Sequence, residues 1–365
     1  MTHKIIRSCA FPFQYPTNGG IHRSEQITEI LQQNNLDITE LHESHFKQAR
    51  PILDRLTGAW FSLQQGDWDA FRLRRLGSIG RRYLLYKKEF ANHQNHPALV
   101  WETTGEKIAP YIAPQYNIPI VALPHQLESY FHAYFWNYRQ DQICDLLKRE
   151  IQSLSLCNQI FTISAEDQIL LANHGVAADY LPYYPSQRLI NFYSEIREQR
   201  LETKKDFFLI LGSAGNHSSR EGFRELSAWI DSTCQTDSFK VKMVGYKTEG
   251  LKEILNYPWL EIVGTVSQEE LYKYLTQAIG ILIHQTKGIG VLTRIPEMLV
   301  GGIPVIANRI AARSATQYTG VNIYHSPEEL SMLLQQEYSI PPYPPKPKNA
   351  EKRLVDFLLN PHQSS

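Results

Sequence analysis

The chain has 365 residues and is 42 % hydrophobic, which is too long for one compact core and suits two domains of roughly 150–200 residues. Its 37 Lys and Arg balance 37 Asp and Glu, so the charge gives no support to whole-molecule attraction to nucleic acid and leaves only a local patch open. Cys9, Cys144, Cys157 and Cys234 stand far apart with no C-x-x-C, which excludes a disulfide scaffold and a cysteine zinc site and fits a reducing cytoplasm. The opening MTHKIIRSCAFPF lacks the apolar stretch of a signal peptide, and no apolar run approaches the ~20 residues of a membrane span.

Lys4–Ala10 reads as a short strand, followed by the turn-rich FPFQYPTNGG and a helix over Ile21–Gln33. Strand, glycine loop and helix open a doubly wound α/β domain. Residues 47–90 read as mostly helical and basic. Three compact apolar runs follow, ALVW (98–101), IPIVAL (118–123) and QIFTIS (159–164), each suited to a strand buried on both faces. The polar stretch 186–205 has no β-like run, so the boundary is placed there. A second alternation then begins. FFLIL (207–211) leads into Gly212-Ser-Ala-Gly215 and a helix from about Arg220. Strands at 240–244, 260–263, 280–284 and 303–307 alternate with helices near 268–277 and 293–300. IPPYPPKPK (340–348) is a stiff, extended connector, and NAEKRLVDFLL (349–359) a short amphipathic helix. The expected division is residues 1–190, a linker at 191–206, residues 207–339, and a terminal piece 340–365.

The stretch from Lys287 to Ala307, KGIGVLTRIPEMLVGGIPVIA, is the chemically informative one. A glycine loop enters a helix whose free amides suit a phosphate. Gly288 and Gly290 let the backbone approach an anion, and Glu297 offers a carboxylate to two ribose hydroxyls. This stretch resembles the nucleotide-sugar glycosyltransferases with two Rossmann-like domains facing a cleft (the GT-B fold), in particular the group 1, or family 4, retaining enzymes. Their pattern E-G-F-G-x-x-x-x-E-A-M-A-x-G-x-P-V stands against G-I-G-V-L-T-R-I-P-E-M-L-V-G-G-I-P-V here. The likeness extends to Phe207–Gly222, VKMVGY, IVGTVSQEELYKYLTQA and PTNGGIHR (16–23).

The resemblance implies a metal-independent transfer from a nucleoside diphosphate sugar, with no other cofactor, to the hydroxyl of a glycan, lipid or small-molecule acceptor. It puts the ribose on Glu297, and the diphosphate on the amides of Gly290, Val291, Leu292, Thr293 and Arg294 with Gly19 and Gly20 of the first domain. The donor sugar falls beside Lys287, Gly288 and Ile289, and His125 faces it. The terminal helix crosses back to the first domain. The chain departs from the pattern where the family carries its first Glu, which becomes Ile289 or Lys287 according to the alignment. Ser213 and Glu221 replace a basic pair, so Arg220, Arg294 or Lys287 is left to supply the positive charge. A degenerate relative that binds nucleotide or glycan without turnover, or serves a partner subunit, is the alternative reading. A sugar epimerase ranks third, because no acid/base pair is seen for it.

Several features carry a plainer reading beside the functional one. Glu297 also suits a first-turn carboxylate favoured by the helix dipole, and Arg294 in the same turn runs against that dipole. Ser218 or Ser219 suits a helix cap, and the same loop, with His217, suits a phosphate. Arg309 and Arg313 are expected in solvent. Asp67-Trp-Asp69 reads as a turn capping a helix rather than a metal site. His42 with His45, and His93 with His96, have zinc-like spacing but no third ligand. Residues 71–88, FRLRRLGSIGRRYLLYKK, suit a solvated helix pair or an amphipathic surface on anionic lipid. The expected location is the cytoplasm, with peripheral contact at the inner membrane face through 71–88.

Overall fold

The computed structural model describes residues 3–9, 19–41, 51–72, 74–92, 98–102, 104–135, 138–215, 217–234 and 239–361. They form two compact units, Met1–Pro182 with Pro347–Ser365, and Tyr183–Lys346. The expected boundary therefore moves forward. Residues 191–206 are not a linker, because Gln187–Glu202 is a helix whose Leu189, Tyr193, Ile196 and Arg200 are buried in the second unit. The 340–365 piece is likewise divided, its proline-rich part staying with the second unit up to Lys346.

The first unit runs β1 (His3–Ser8), α1 (Gly19–Gln33), β2 (Leu36–Leu41), α2 (Pro51–Gln64), α3 (Trp68–Arg72), α4 (Leu76–Asn92), β3 (Leu99–Trp101), α5 (Ala109–Ile112), β4 (Ile120–Ala122), α6 (Glu128–Phe135), α7 (Gln140–Leu154), β5 (Gln159–Thr162), α8 (Ala165–Asn173) and β6 (Asp179–Tyr180). Its six strands pair in parallel in the order β2-β1-β3-β4-β5-β6. Val100, Val121 and Phe161 face one side and Leu99, Ile120 and Ile160 the other, all buried. Burying each such side chain contributes about 1.5–3 kcal/mol.

The second unit runs α9 (Gln187–Glu202), β7 (Phe207–Leu211), α10 (His217–Thr233), β8 (Val241–Val244), β9 (Leu260–Gly264), α11 (Gln268–Gln277), β10 (Ala278–Ile283), α12 (Arg294–Val300), β11 (Val305–Asn308), β12 (Val321–Tyr324) and α13 (Pro327–Leu334). Its parallel sheet has the order β12-β11-β10-β7-β8-β9. The helix α11 begins where its capping box predicts, with Ser267 Oγ accepting from the Glu270 amide at 3.2 Å and Glu270 Oε2 accepting from the Ser267 amide at 2.8 Å. The last helix, α14 (Lys348–Leu359), belongs to the first unit. Its Leu354, Val355, Phe357 and Leu358 join Ile5, Ile27 and Leu31 in one buried cluster.

Strand order reverses between β1 and β3 in the first unit and between β7 and β10 in the second. In open α/β sheets ligands bind outside the carboxyl ends of the strands at such reversals. The carboxyl ends of these strand pairs are therefore the places where a site belongs.

Candidate functional site

In the second unit, β7 ends at Leu211 and β10 at Ile283, so Gly212–Gly215 and His284–Thr293 flank the reversal. Other parts of the same unit hold the second loop by its own polar groups. Asn308 Nδ2 donates to the Gln285 carbonyl at 2.8 Å, and the Gln285 amide donates to Asn308 Oδ1 at 3.2 Å. Ser218 Oγ donates to the Lys287 carbonyl at 3.0 Å. Arg313 donates through Nε to the Gly290 carbonyl at 2.6 Å, through Nη1 to Gln285 Oε1 at 2.9 Å, and through Nη2 to the Ile289 carbonyl. Gly290 has φ +58°, a left-handed turn that glycine adopts without strain.

These bonds orient the loop's amides. No described peptide bond is cis, and in a trans peptide the C=O of one residue and the N–H of the next point opposite ways. The carbonyls of Lys287, Ile289 and Gly290 turn to Ser218 and Arg313. The N–H groups of Gly288, Gly290 and Val291 therefore turn away from those partners. In the first turn of α12 the Ile295 amide donates to the Leu292 carbonyl at 3.1 Å and Pro296 has no N–H, which leaves the Arg294 amide as the donor with no acceptor inside the helix.

Arg294 reaches from that first turn to the end of β7, where it donates to the Leu211 carbonyl. Its Nη1 lies 2.9 Å from where a Cβ on Gly212 would stand. Burial lowers its pKa, opposed by the nearby Glu297 carboxylate, and the group remains a cation at neutral pH. The mismatch with the helix dipole is thus resolved by a carbonyl and a carboxylate. It also puts a guanidinium next to Ser213, where the sequence lacks the expected basic residue.

Glu297 is buried at 3 % exposure. Its Oε1 accepts from the Tyr183 hydroxyl at 2.8 Å and its Oε2 from the Tyr193 hydroxyl at 3.3 Å. Burial, with the adjacent carboxylate, raises the Tyr193 pKa and keeps that hydroxyl a donor. The sequence gives no sign of these tyrosine partners. Lys287 is exposed, while Val291, Leu292 and Arg220 are half-buried. Ser218 and Ser219 lie inside α10 rather than capping it, and Ser218 serves the loop instead. Arg309 is exposed as expected; Arg313 is not the solvent residue expected, since the loop carbonyls claim its guanidinium.

Beside this loop, between α10 and the carboxyl ends of β10 to β12, lies a cavity of ≈ 250 Å³ lined by Glu225, Trp229, His284, Thr286, Asn308 and Tyr324 among others. His284 Nδ1 bonds the Tyr324 hydroxyl at 2.8 Å, and its ring meets Trp229 edge-on at 4.9 Å. Burial lowers its pKa against the pull of Glu225.

In the first unit, the ends of β1, β3 and β4 bring together a network of which the sequence reading names only His125. His125 Nε2 lies 3.3 Å from Glu102 Oε2. Glu102 Oε1 accepts from Arg7 Nε at 2.6 Å, and its Oε2 accepts from Ser24 Oγ at 2.8 Å. Arg7 also donates to Thr28 Oγ1 at 2.6 Å, the Ser24 carbonyl at 2.9 Å and Glu40 at 3.1 Å. Burial alone would raise the Glu102 pKa, but Arg7 and then His125 outweigh it and hold the carboxyl at about 2. A group so acidic stays ionised at neutral pH. It orients His125 rather than donating a proton. A charge inside the strand HKIIRS and a carboxylate directly after ALVW are the signals that mark this pair in the sequence.

Gly19 and Gly20 are the first two residues of α1, not part of a loop; residues 16–18 lie outside the described residues. His42, His45, His93 and His96 also lie outside them. Asp67 and Asp69 both pair with Arg149 Nη2, at 3.5 and 3.4 Å, and among the described residues no three His, Cys, Asp or Glu are grouped to hold a metal. Of the described apolar residues of 71–88, Tyr83 and Tyr86 are buried and Ile79 and Leu84 pack against the same core.

No protein-family model matches the chain, and no curated protein does. Solved structures match it along nearly its whole length. It is similar to sucrose-phosphate synthase of Thermosynechococcus elongatus at 14 % identity, with a TM-score of 0.65 over 98 % of this chain and 95 % of that one. Similar too are the α,α-trehalose-phosphate synthase of Burkholderia xenovorans (9 %, TM-score 0.62, 98 % and 96 %) and HepE of Anabaena, solved with UDP (10 %, TM-score 0.58, 98 % and 100 %). The chain has the two-domain GT-B fold of these proteins. At such identities the likeness speaks for the fold alone.

Proposed function

We propose that the chain is a glycosyltransferase that binds a nucleoside diphosphate sugar on its second unit and passes the sugar to an acceptor hydroxyl. The observation that carries this reading is the Arg294 guanidinium at the end of β7, beside a loop whose carbonyls are tied back and whose Gly288, Gly290 and Val291 amides are turned the other way. Such donors stabilise the charge that develops on a departing diphosphate. In this reading the anomeric carbon loses its bond to the diphosphate oxygen and gains one to the acceptor oxygen. The acceptor proton leaves to the released diphosphate. The charge is met by Arg294 and the amides without a metal, and retention of configuration follows the family resemblance.

Glu297 takes the ribose. The assignment follows the family resemblance, and the Tyr183 and Tyr193 hydroxyls hold the carboxylate in place at 2.8 and 3.3 Å. Uridine is the base we assign, by analogy with HepE, which was solved with UDP. The first unit is assigned the acceptor, with His125 oriented by Glu102, and peripheral contact with an anionic membrane belongs to the same reading. One observation favours binding without turnover instead: residues 284–293 contain no carboxylate to hold sugar hydroxyls.

Calorimetric titration with UDP, GDP, ADP and CMP, then with their sugar derivatives, tests the assignment. Saturable binding of UDP is expected, weakened about tenfold or more in Arg294→Met, as for a lost charged hydrogen bond. Glu297→Ala weakens it too, whereas Tyr193→Phe, which frees a carboxylate lone pair, leaves it intact. Equal losses in Glu297→Ala and Tyr193→Phe would make Glu297 a structural carboxylate. No binding of any nucleotide refutes the reading, and binding without donor turnover selects the degenerate alternative.

A further inference from the structure

The described residues include fourteen exposed large hydrophobic side chains, and six of them (Ile52, Leu53, Leu56, Trp60, Leu63 and Trp68) fall on α2 and the start of α3. Ile52 is 77 %, Leu56 65 % and Trp68 68 % exposed. At 3.6 residues per turn the five on α2 span an arc of about 100°. The opposite face carries Asp54, Gly58, Phe61 and Ser62, which are buried. Small residues let that face meet α4 backbone to backbone: a Cβ on Gly58 would stand 1.9 Å from the Leu76 carbonyl oxygen, and one on Gly80 1.8 Å from that of Asp54. The helix is thus pinned through Gly58 and Phe61 and holds its other large apolar side chains outward. Scattered surface leucines need no explanation, whereas a contiguous patch does.

The surroundings of the patch are cationic. Residues 51–92 carry eight Lys and Arg against four Asp and Glu, in a chain whose net charge is zero. Asp54 pairs with Arg81 at 3.2 Å, and Asp67 and Asp69 pair with Arg149. Arg55, Arg74, Lys87 and Lys88 are exposed. Beginning at Phe61, next to Trp60, a cavity of ≈ 280 Å³ opens between α2, α4 and α7, with Arg75, Ile79, Arg82, Lys107 and Arg149 in its walls. The Arg75 Nε is buried there without a hydrogen-bond partner. Lys107 is held at φ +51°, a left-handed conformation unusual for a side-chain residue. Of the two carboxylates in the cavity walls, Glu106 is taken by Tyr86, Trp101 and the Ile108 amide at 2.7, 2.8 and 2.9 Å, and Asp67 pairs with Arg149 at 3.5 Å.

We propose that the α2–α4 hairpin docks the first unit on an anionic phospholipid bilayer, with the apolar face of α2 in the headgroup–acyl boundary and a lipid phosphate in the Arg75 cavity. Tryptophan, leucine and isoleucine on one face with cations around it is the chemistry of an interfacial helix, and the excess of positive charge selects anionic lipid over a neutral surface. This deepens the peripheral contact proposed above and moves it from 71–88 to the preceding helix. It is independent of the transferase assignment.

Flotation of the full chain with vesicles tests it without any measure of activity. Binding is expected to vesicles of phosphatidylcholine with an equal share of phosphatidylglycerol, and not to phosphatidylcholine alone, and it weakens as salt rises. Leu56→Ser with Trp60→Ser, both at exposed positions, loses about tenfold or more of the affinity. Arg75→Gln loses about fivefold, one cation's share near a charged surface. Absence of binding by the unmodified chain overturns the proposal. So does binding unchanged by the double substitution, or a dimer in solution that the double substitution dissolves while vesicles stay free, which would give the face to a second copy. Circular dichroism of each variant establishes that lost binding is not lost folding. Nucleotide titration of the same samples separates failure here from failure of the transferase reading.

Discussion

Glu102→Met removes one half of the Arg7–Glu102 pair, in which both side chains are fully buried. Breaking a buried pair from one side leaves an uncompensated charge and costs about 3–5 kcal/mol. The titration of Glu102 gives a second route to the same quantity. Its carboxyl falls from the usual 4.5 to about 2, and at about 1.4 kcal/mol per pH unit this amounts to about 3 kcal/mol. The sign is that of a depressed carboxyl. The stabilisation is fully present above pH 4.5 and is lost as the pH falls from there towards 2. Hydrogen exchange reads the first unit separately from the second. In Glu102→Met the amides of β1, β3 and β4 are expected to exchange about 100-fold faster or more at neutral pH, with those of β7 and β10 unchanged. Adding Arg7→Met removes the stranded charge and restores part of the protection, since Glu40 is a quarter exposed and finds water. Acceleration below tenfold, or a double variant worse than the single one, would refute the account of the pair.

Two further outcomes follow from the second unit. Arg313→Ala releases the Gly290 and Ile289 carbonyls and Gln285; it is expected to weaken nucleotide binding about tenfold and to speed exchange at 285–291 without unfolding β10, since the lost bonds order the loop and nothing deeper. Arg200→Met strips donors from the carbonyls of Leu275, Ala278 and Gly302. It should cost about 2–4 kcal/mol, at about 1–3 kcal/mol for each buried carbonyl left unsatisfied and partly relieved by relaxation, read as a fall in the melting temperature with α9 released first.

The strands legible in the sequence have neighbours on both sides, apart from β9, which lies at a sheet edge and is read from its apolar positions. ALVW, IPIVAL, QIFTIS and FFLIL are continuous apolar runs because both their faces are covered by helices. The strands passed over, β2, β6 and β12, lie at sheet edges. Their burial is partial, with only the end residues of β2 and one of β12 buried, so LDITEL and VNIY lack the run that marks an interior strand. The polar stretch 186–205 misleads for the opposite reason. Its arginines are structural: Arg200, 2 % exposed, spends its charge on backbone carbonyls and is brought down to about 10 by burial. A helix that buries such residues looks like a linker by composition.

The candidate site divides along the same line. What lies near in sequence was legible: the glycine loop, the helix that follows it, and Arg294 at odds with the dipole of its own helix. What depends on long-range pairing was not. The tyrosines on Glu297 come from about a hundred positions earlier, Arg313 reaches the loop from over twenty positions later, and Arg7 meets Glu102 across 95. Arg294 links the two kinds of information. A helix that starts with a cation is locally unfavourable, and local rules give no reason for it. The end of β7 supplies a reason, because the Arg294 side chain, rooted in that first turn, spans from α12 to the carbonyl of Leu211. In the reading proposed above, a residue that violates a local preference and is repaid only at the strand reversal serves what the reversal binds. Loss of nucleotide affinity in Arg294→Met at unchanged stability is accordingly the outcome that separates a functional cation from a packing one.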